Sequence, residues 1–308
     1  MCIALCICLC SCAPKQNINI TDSGKIIAVA TIFPQYDFLR EIAGDKADIY
    51  LLIPPGGESH SFEPSPSDII NIGKSDLFVY AGGNVDIWAK RILQSEQMAK
   101  TKAVSLMEMV PLICHEHEHY GESDHHGEDA HVSEHDEHVW TSPINAIKIC
   151  EELCEILCEA DAKNASYYIK NCNDYVQKLK DIDNETRDII KNAKRREIVF
   201  ADRFPVRYFT EEYGIEYVSA FPGCAGETEP GPQTLARLID RVRENDIPVV
   251  FYQEFSNQKV ANLVCESTKS KKMLFHSCHN LSAEDFENGE TYLSLMRKNI
   301  QNLKEALR

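Results

Sequence analysis

Basic charge is in short supply in this chain. Thirty-two Lys and Arg stand against forty-eight Asp and Glu in 308 residues, a formal net charge of −16. No basic footprint is available for phosphates, which argues against a nucleic-acid partner. No Cys-x-x-Cys pair occurs among the thirteen cysteines, so a structural thiolate zinc site is not expected. The first twelve residues, MCIALCICLCSC, are apolar but too few to cross a bilayer, which takes roughly twenty.

What is present is histidine, in one place. The run HEHEHYGESDHHGEDAHVSEHDEH, residues 115–138, holds eight of the eleven histidines with nine Asp and Glu and no Lys or Arg. Imidazole suits Zn(II) and its late first-row neighbours, and carboxylates complete such sites or orient their histidines. A segment this polar, with no apolar period, cannot bury a core. It reads as a surface loop that scavenges metal through His115, His117, His119, His125, His126, His131 and His135, attached to a folded body.

That body alternates strands and helices from Lys25 onward. IIAVATI (26–32), ADIYLLI (47–53) and DLFVYAG (76–82) read as strands, separated by helices over 34–43 and 67–73, and 85–93 has helical spacing. Ser142-Pro143 is a helix start, with a capping serine before proline at the first helical position. Helix then runs to about Ala193, broken near Asp161, before strands and helices alternate again to the end. Cys150, Cys154 and Cys158 share one helix face at a spacing of four and read as small buried residues. The expected fold is α/β: two lobes, each a mainly parallel sheet flanked by helices, joined by a long linker helix. The expected divisions are 1–24 signal and tether, 25–160 first lobe with the loop at 115–138, 161–193 linker and 194–308 second lobe.

Two motifs sharpen this picture. His60-Ser61-Phe62-Glu63-Pro64-Ser65-Pro66-Ser67-Asp68 follows a strand and a Pro/Gly turn, at the sheet edge where ligands bind in open α/β folds. His138-Val139-Trp140-Thr141-Ser142-Pro143 places a second histidine just before a helix. Together with the acidic histidine-rich loop between them, these resemble the zinc- and manganese-binding solute receptors of bacterial ABC importers, the cluster A-I family, over residues 25–308. The loop favours the zinc branch.

The resemblance implies metal ligands at His60 and His138. It implies two more from the second lobe, where the pattern departs from the family's: Asp202 in VFADRFPVRYF and His276 in LFHSCHN are the assignments. Glu227, Glu229, Glu254 and His279 are alternatives, and Trp140 is expected to pack rather than bind. The tetrapeptide ending at Cys12 resembles a lipobox, implying lipidation there and an extracytoplasmic, lipid-anchored monomer. Cys224 and Cys278, both at carboxyl ends of second-lobe strands, resemble a disulfide of the family's zinc receptors. The implied function is capture of Zn(II), or alternatively Mn(II), for a permease and its ATPase, with no enzymatic activity. A manganese receptor that doubles as an adhesin is the near alternative, and a zinc-dependent hydrolase is the alternative from another class.

Overall fold

The computed structural model describes residues 20, 23–114, 135–221 and 230–308. Its first half alternates β1 (Ile26–Ala30), α1 (Phe33–Ala43), β2 (Ala47–Leu51), α2 (Pro66–Ile72), β3 (Leu77–Tyr80), α3 (Ile87–Ile92) and β4 (Lys102–Ser105). Two long helices follow, α4 (Pro143–Ala160) and α5 (Ala165–Lys191). The second half runs β5 (Glu197–Phe200), α6 (Arg207–Tyr213), β6 (Glu216–Ser219), α7 (Pro232–Glu244), β7 (Val249–Tyr252), α8 (Lys259–Ser267), β8 (Lys271–Leu274), α9 (Ala283–Glu287) and α10 (Tyr292–Ala306). β4, α6 and α9 are short elements that periodicity alone does not reveal.

Both sheets are four-stranded and fully parallel, in the orders β2-β1-β3-β4 and β6-β5-β7-β8. The two lobes thus share one strand order, a repeat with no alignable trace in the sequence. β1, β3 and β5 are buried along their whole length, as strands covered by helices on both faces must be. One apolar cluster takes in the inner faces of both sheets with α1, α4, α5 and α10, from Phe38 and Trp140 to Phe275 and Leu303. Two smaller clusters cover the outer faces, around Trp88 and around Leu238. The continuity of the large cluster ties the lobes into one core.

Local chemistry sets the helix starts next to the site. In α2, Ser65 Oγ accepts from the Asp68 N–H and Asp68 Oδ2 accepts from the Ser65 N–H, with Pro66 opening the helix. Ser65 and Asp68 of FEPSPSD are therefore capping residues that fix the chain just beyond His60. Ser142 caps α4 by accepting from the Asn145 N–H, as the sequence predicts. The expected break near Asp161 is the end of α4, with α5 beginning four residues later. Cys150 and Cys154 are buried and Cys158 is half-buried on that face of α4.

Candidate metal centre

Three histidines converge where the lobes meet. His60 comes from the loop after β2, His138 from the turn leading into α4, and His279 from the loop after β8. One ligand nitrogen from each lies within 4.8 Å of the others, a spacing that can hold a single metal ion. The rings stand 5.0 Å (His60 to His279), 5.4 Å (His138 to His279) and 6.0 Å (His60 to His138) apart between centroids.

Each ring is aimed through its Nδ1. Asp136 Oδ1 lies 2.9 Å from His138 Nδ1, Glu137 Oε1 lies 3.5 Å from His60 Nδ1, and Ser59 Oγ lies 3.5 Å from His279 Nδ1. This leaves Nε2 for the centre, the arrangement by which outer groups orient metal-binding histidines. Nε2 of His60 and Nε2 of His279 are buried with no hydrogen-bond partner. Burial without a partner is costly for a ring nitrogen, and a bound cation removes the cost. Burial, with the neighbouring His138 and Arg203, lowers the pKa of His60 to about 3, and burial beside His60 and His138 pushes that of His279 down as well. These two rings are neutral at physiological pH, which is the metal-binding form.

The carboxylates are themselves held. Asp136 Oδ1 accepts from the His138 N–H, and the Asp136 carbonyl accepts from Tyr208 Oη. Glu137 Oε2 accepts from the Asn84 and Val85 N–H groups in the turn after β3. That turn needs Gly83: its φ is +67°, and a Cβ there would clash with Glu137 Oε2. Asp136 and Glu137 read in the sequence as the tail of the acidic loop, yet both are buried. The signal that could have singled them out is a carboxylate within two residues of a histidine that opens a helix.

In the second lobe the structure brings His279 to the cluster, and neither His276 nor Asp202. His276 is not in the cluster: its Nδ1 accepts from the Cys278 N–H at 2.9 Å, and Asn299 clamps its backbone on both sides. The reason lies in Cys278, whose φ of +60° is left-handed. That residue reverses the chain, turning His276 back onto its own loop and sending His279 across to the first lobe. Asp202 stays outside the cluster too, with Oδ1 accepting from the Arg203 N–H at 2.9 Å. It lines a cavity of about 230 Å³ together with His60, His279, Arg203 and Glu254. Glu254 is engaged by Ser277, accepting from its N–H at 2.8 Å and from its hydroxyl. Cys12, Cys224, Glu227, Glu229, His115, His117, His119, His125, His126 and His131 lie outside the described residues. His135 is described and bridges Cys114 in a single antiparallel pair. Cys278 carries a free, buried thiol.

The loop carrying His279 is pinned to the first lobe by Trp140 Nε1 on the Ser277 carbonyl (2.9 Å), by Asn280 Nδ2 on the Pro54 and Gly57 carbonyls, and by the Phe33 N–H on the His279 carbonyl. Trp140 packs, as expected, and it also locates a residue of the opposite lobe.

The profile of the family described as "Zinc-uptake complex component A periplasmic" matches residues 28–306. The chain belongs to this family. It is 32% identical over 283 residues to the zinc-binding lipoprotein AdcA of Streptococcus pneumoniae (strain ATCC BAA-255 / R6), covering 92% of this chain and 56% of that protein. It therefore spans about half the length of that streptococcal relative. It is also 32% identical over 284 residues to the high-affinity zinc uptake system protein ZnuA of Bacillus subtilis (strain 168), covering 92% of this chain and 88% of that one. The crystal structure of the Zn(II)-bound ZnuA-like domain of Streptococcus pneumoniae AdcA superposes with a TM-score of 0.77 at 29% identity, over 92% of this chain and 99% of that domain. The two-lobed parallel-sheet fold with a long joining helix is thus shared with its relatives.

Proposed function

We propose that this chain is an extracytoplasmic receptor that captures Zn(II) between its lobes and delivers it to an ABC-type importer. The observation that supports this most is the trio His60, His138 and His279, three nitrogen donors at metal-ligand spacing with their Nδ1 atoms already engaged. Three such donors with one further position match zinc's tetrahedral preference. The names of the relatives, zinc-binding and zinc-uptake proteins, point to the same ion, and the family is one of solute-binding receptors rather than enzymes. Zinc here is cargo, so the site must release it. The shared core and the cross-lobe hydrogen bonds favour release by local shifts in the His279 loop over wide opening of the cleft.

Under this reading the apolar start of the chain anchors it through Cys12, a permease and its ATPase are the partners, and the seven loop histidines gather ions for the cleft. The test is competitive zinc titration of the chain against a chromophoric chelator. One tight equivalent is expected, with weaker ones that disappear when residues 115–134 are removed. If the tightest equivalent disappears with the loop, the cleft is not the receptor site.

A further inference from the structure

One cation and three carboxylates, Arg203 with Glu58, Asp202 and Glu254, line the cavity beside the histidine cluster. The cavity of about 230 Å³ reaches His60 and His279 and is lined on its second-lobe wall by Arg203. Among the described residues no carboxylate lies within ion-pair distance of its guanidinium: Asp202 is bonded through the Arg203 backbone N–H, and Arg207 pairs with Glu211. A positive charge facing a site for a divalent cation opposes binding unless something negative lies between them. Asp136 and Glu137 lie behind His138 and His60, and the three imidazoles fill only three of the four positions that zinc prefers.

We propose that Arg203 and the cluster together bind zinc with a small carboxylate anion as an exogenous fourth ligand. One carboxylate oxygen takes the open position on the metal, and the carboxylate accepts N–H bonds from the guanidinium, whose planar fork matches it. A carboxylate suits the place better than a halide, because it is long enough to touch both cations at once. This rests on the reading of the three histidines as the cargo site. Its rivals in the same cavity are the protein's own carboxylates Asp202, Glu254 and Glu58.

The experiment uses Co(II) in place of zinc, because its visible bands report coordination number and ligand identity. The full chain is loaded with Co(II) in halide-free buffer and titrated with acetate, alongside Arg203→Gln, Asp202→Asn and Glu254→Gln, each checked for folding by circular dichroism. A saturable spectral change with acetate in the native chain, weakened about tenfold or more in Arg203→Gln, is the expected result, since a hydrogen bond to a charged partner is lost. Zinc affinity should rise with acetate in the native chain and not in that variant. A four-coordinate spectrum indifferent to acetate, or one lost in Asp202→Asn or Glu254→Gln, overturns the proposal and leaves the histidine site standing. If no such spectrum forms, or if it persists unchanged in His60→Ala, the histidine reading fails and the proposal fails with it.

Discussion

Trp140 Nε1 donates a 2.9 Å hydrogen bond to the carbonyl of Ser277, so an indole held next to first-lobe His138 fixes the second-lobe loop that carries His279. The same ring lies 5.4 Å from His138 and 5.2 Å from His279. The Trp140 carbonyl in turn accepts from Tyr292 Oη at 2.6 Å, so α10 braces the pair from behind. One residue therefore touches two histidines of the cluster, one from each lobe.

Replacing Trp140 with Phe keeps most of the buried ring and removes the donor. About 1 kcal/mol of stability should be lost, a typical net value for one hydrogen bond whose partner carbonyl stays buried. Zinc affinity should fall as well, because the His279 loop is less well placed. Denaturant unfolding with and without zinc separates the two effects. An equal loss in both conditions would mean that Trp140 stabilises the fold without positioning the site.

Alanine at His60, His138 or His279 should each lower zinc affinity by orders of magnitude. Alanine at Asp136 should cost roughly 10- to 100-fold, the usual range for a group that orients a metal-bound histidine. His276→Ala should change affinity far less than His279→Ala, because His276 faces its own loop. The reverse order in a chelator competition would return the ligand role to His276.

Gly83→Ala should be costly for two separable reasons, a left-handed φ of +67° and contact of the new Cβ with Glu137. Gly214 offers the control, since its φ is +62° with nothing within 4 Å of the added Cβ. Gly214→Ala should lose about 1–2 kcal/mol from backbone strain alone. Gly83→Ala should lose more, and should also weaken zinc binding by displacing the carboxylate beside His60. Equal destabilisation of the two variants would show that Glu137 simply moves aside.

Asp86 is buried, and burial raises its pKa to about 7 although its Oδ2 accepts from the Ala81 N–H and Thr31 Oγ1. In the unfolded chain it titrates near 4. Between about pH 4 and pH 7 the folded state holds the extra proton, so this group's contribution to stability is full below pH 4 and is lost as pH rises toward 7. Asp86→Asn has no such proton to lose. The stability difference between native chain and variant, followed by denaturant melts across that window, should shift toward the variant as pH rises. A difference that stays flat would place the Asp86 pKa near its ordinary value.

Much of the molecule is legible in the sequence because the relevant physics is local. Alternating β-branched and amphipathic runs announce two parallel-sheet lobes, Ser142-Pro143 announces a helix start, and the histidines beside FEPSPSD and before WTSP sit next to capped helices whose chemistry fixes them. Short-range caps and apolar periods are written in neighbouring residues, which places His60 and His138 beside helix starts, and the family resemblance supplies their reading as ligands. The third histidine is not legible in this way. Whether His276 or His279 reaches the first lobe depends on one left-handed residue, Cys278, and on hydrogen bonds from Trp140 and Asn280, which are more than 130 and 220 residues away from their partners. The roles of Asp136 and Glu137 were hidden for a related reason. In the sequence they belong to an acidic run, and only the turn after β3 and the hydroxyl of Tyr208 draw them into the interior. The common strand order of the two lobes likewise emerges only in three dimensions, because a parallel sheet constrains where strands lie and leaves the identity of their apolar residues free.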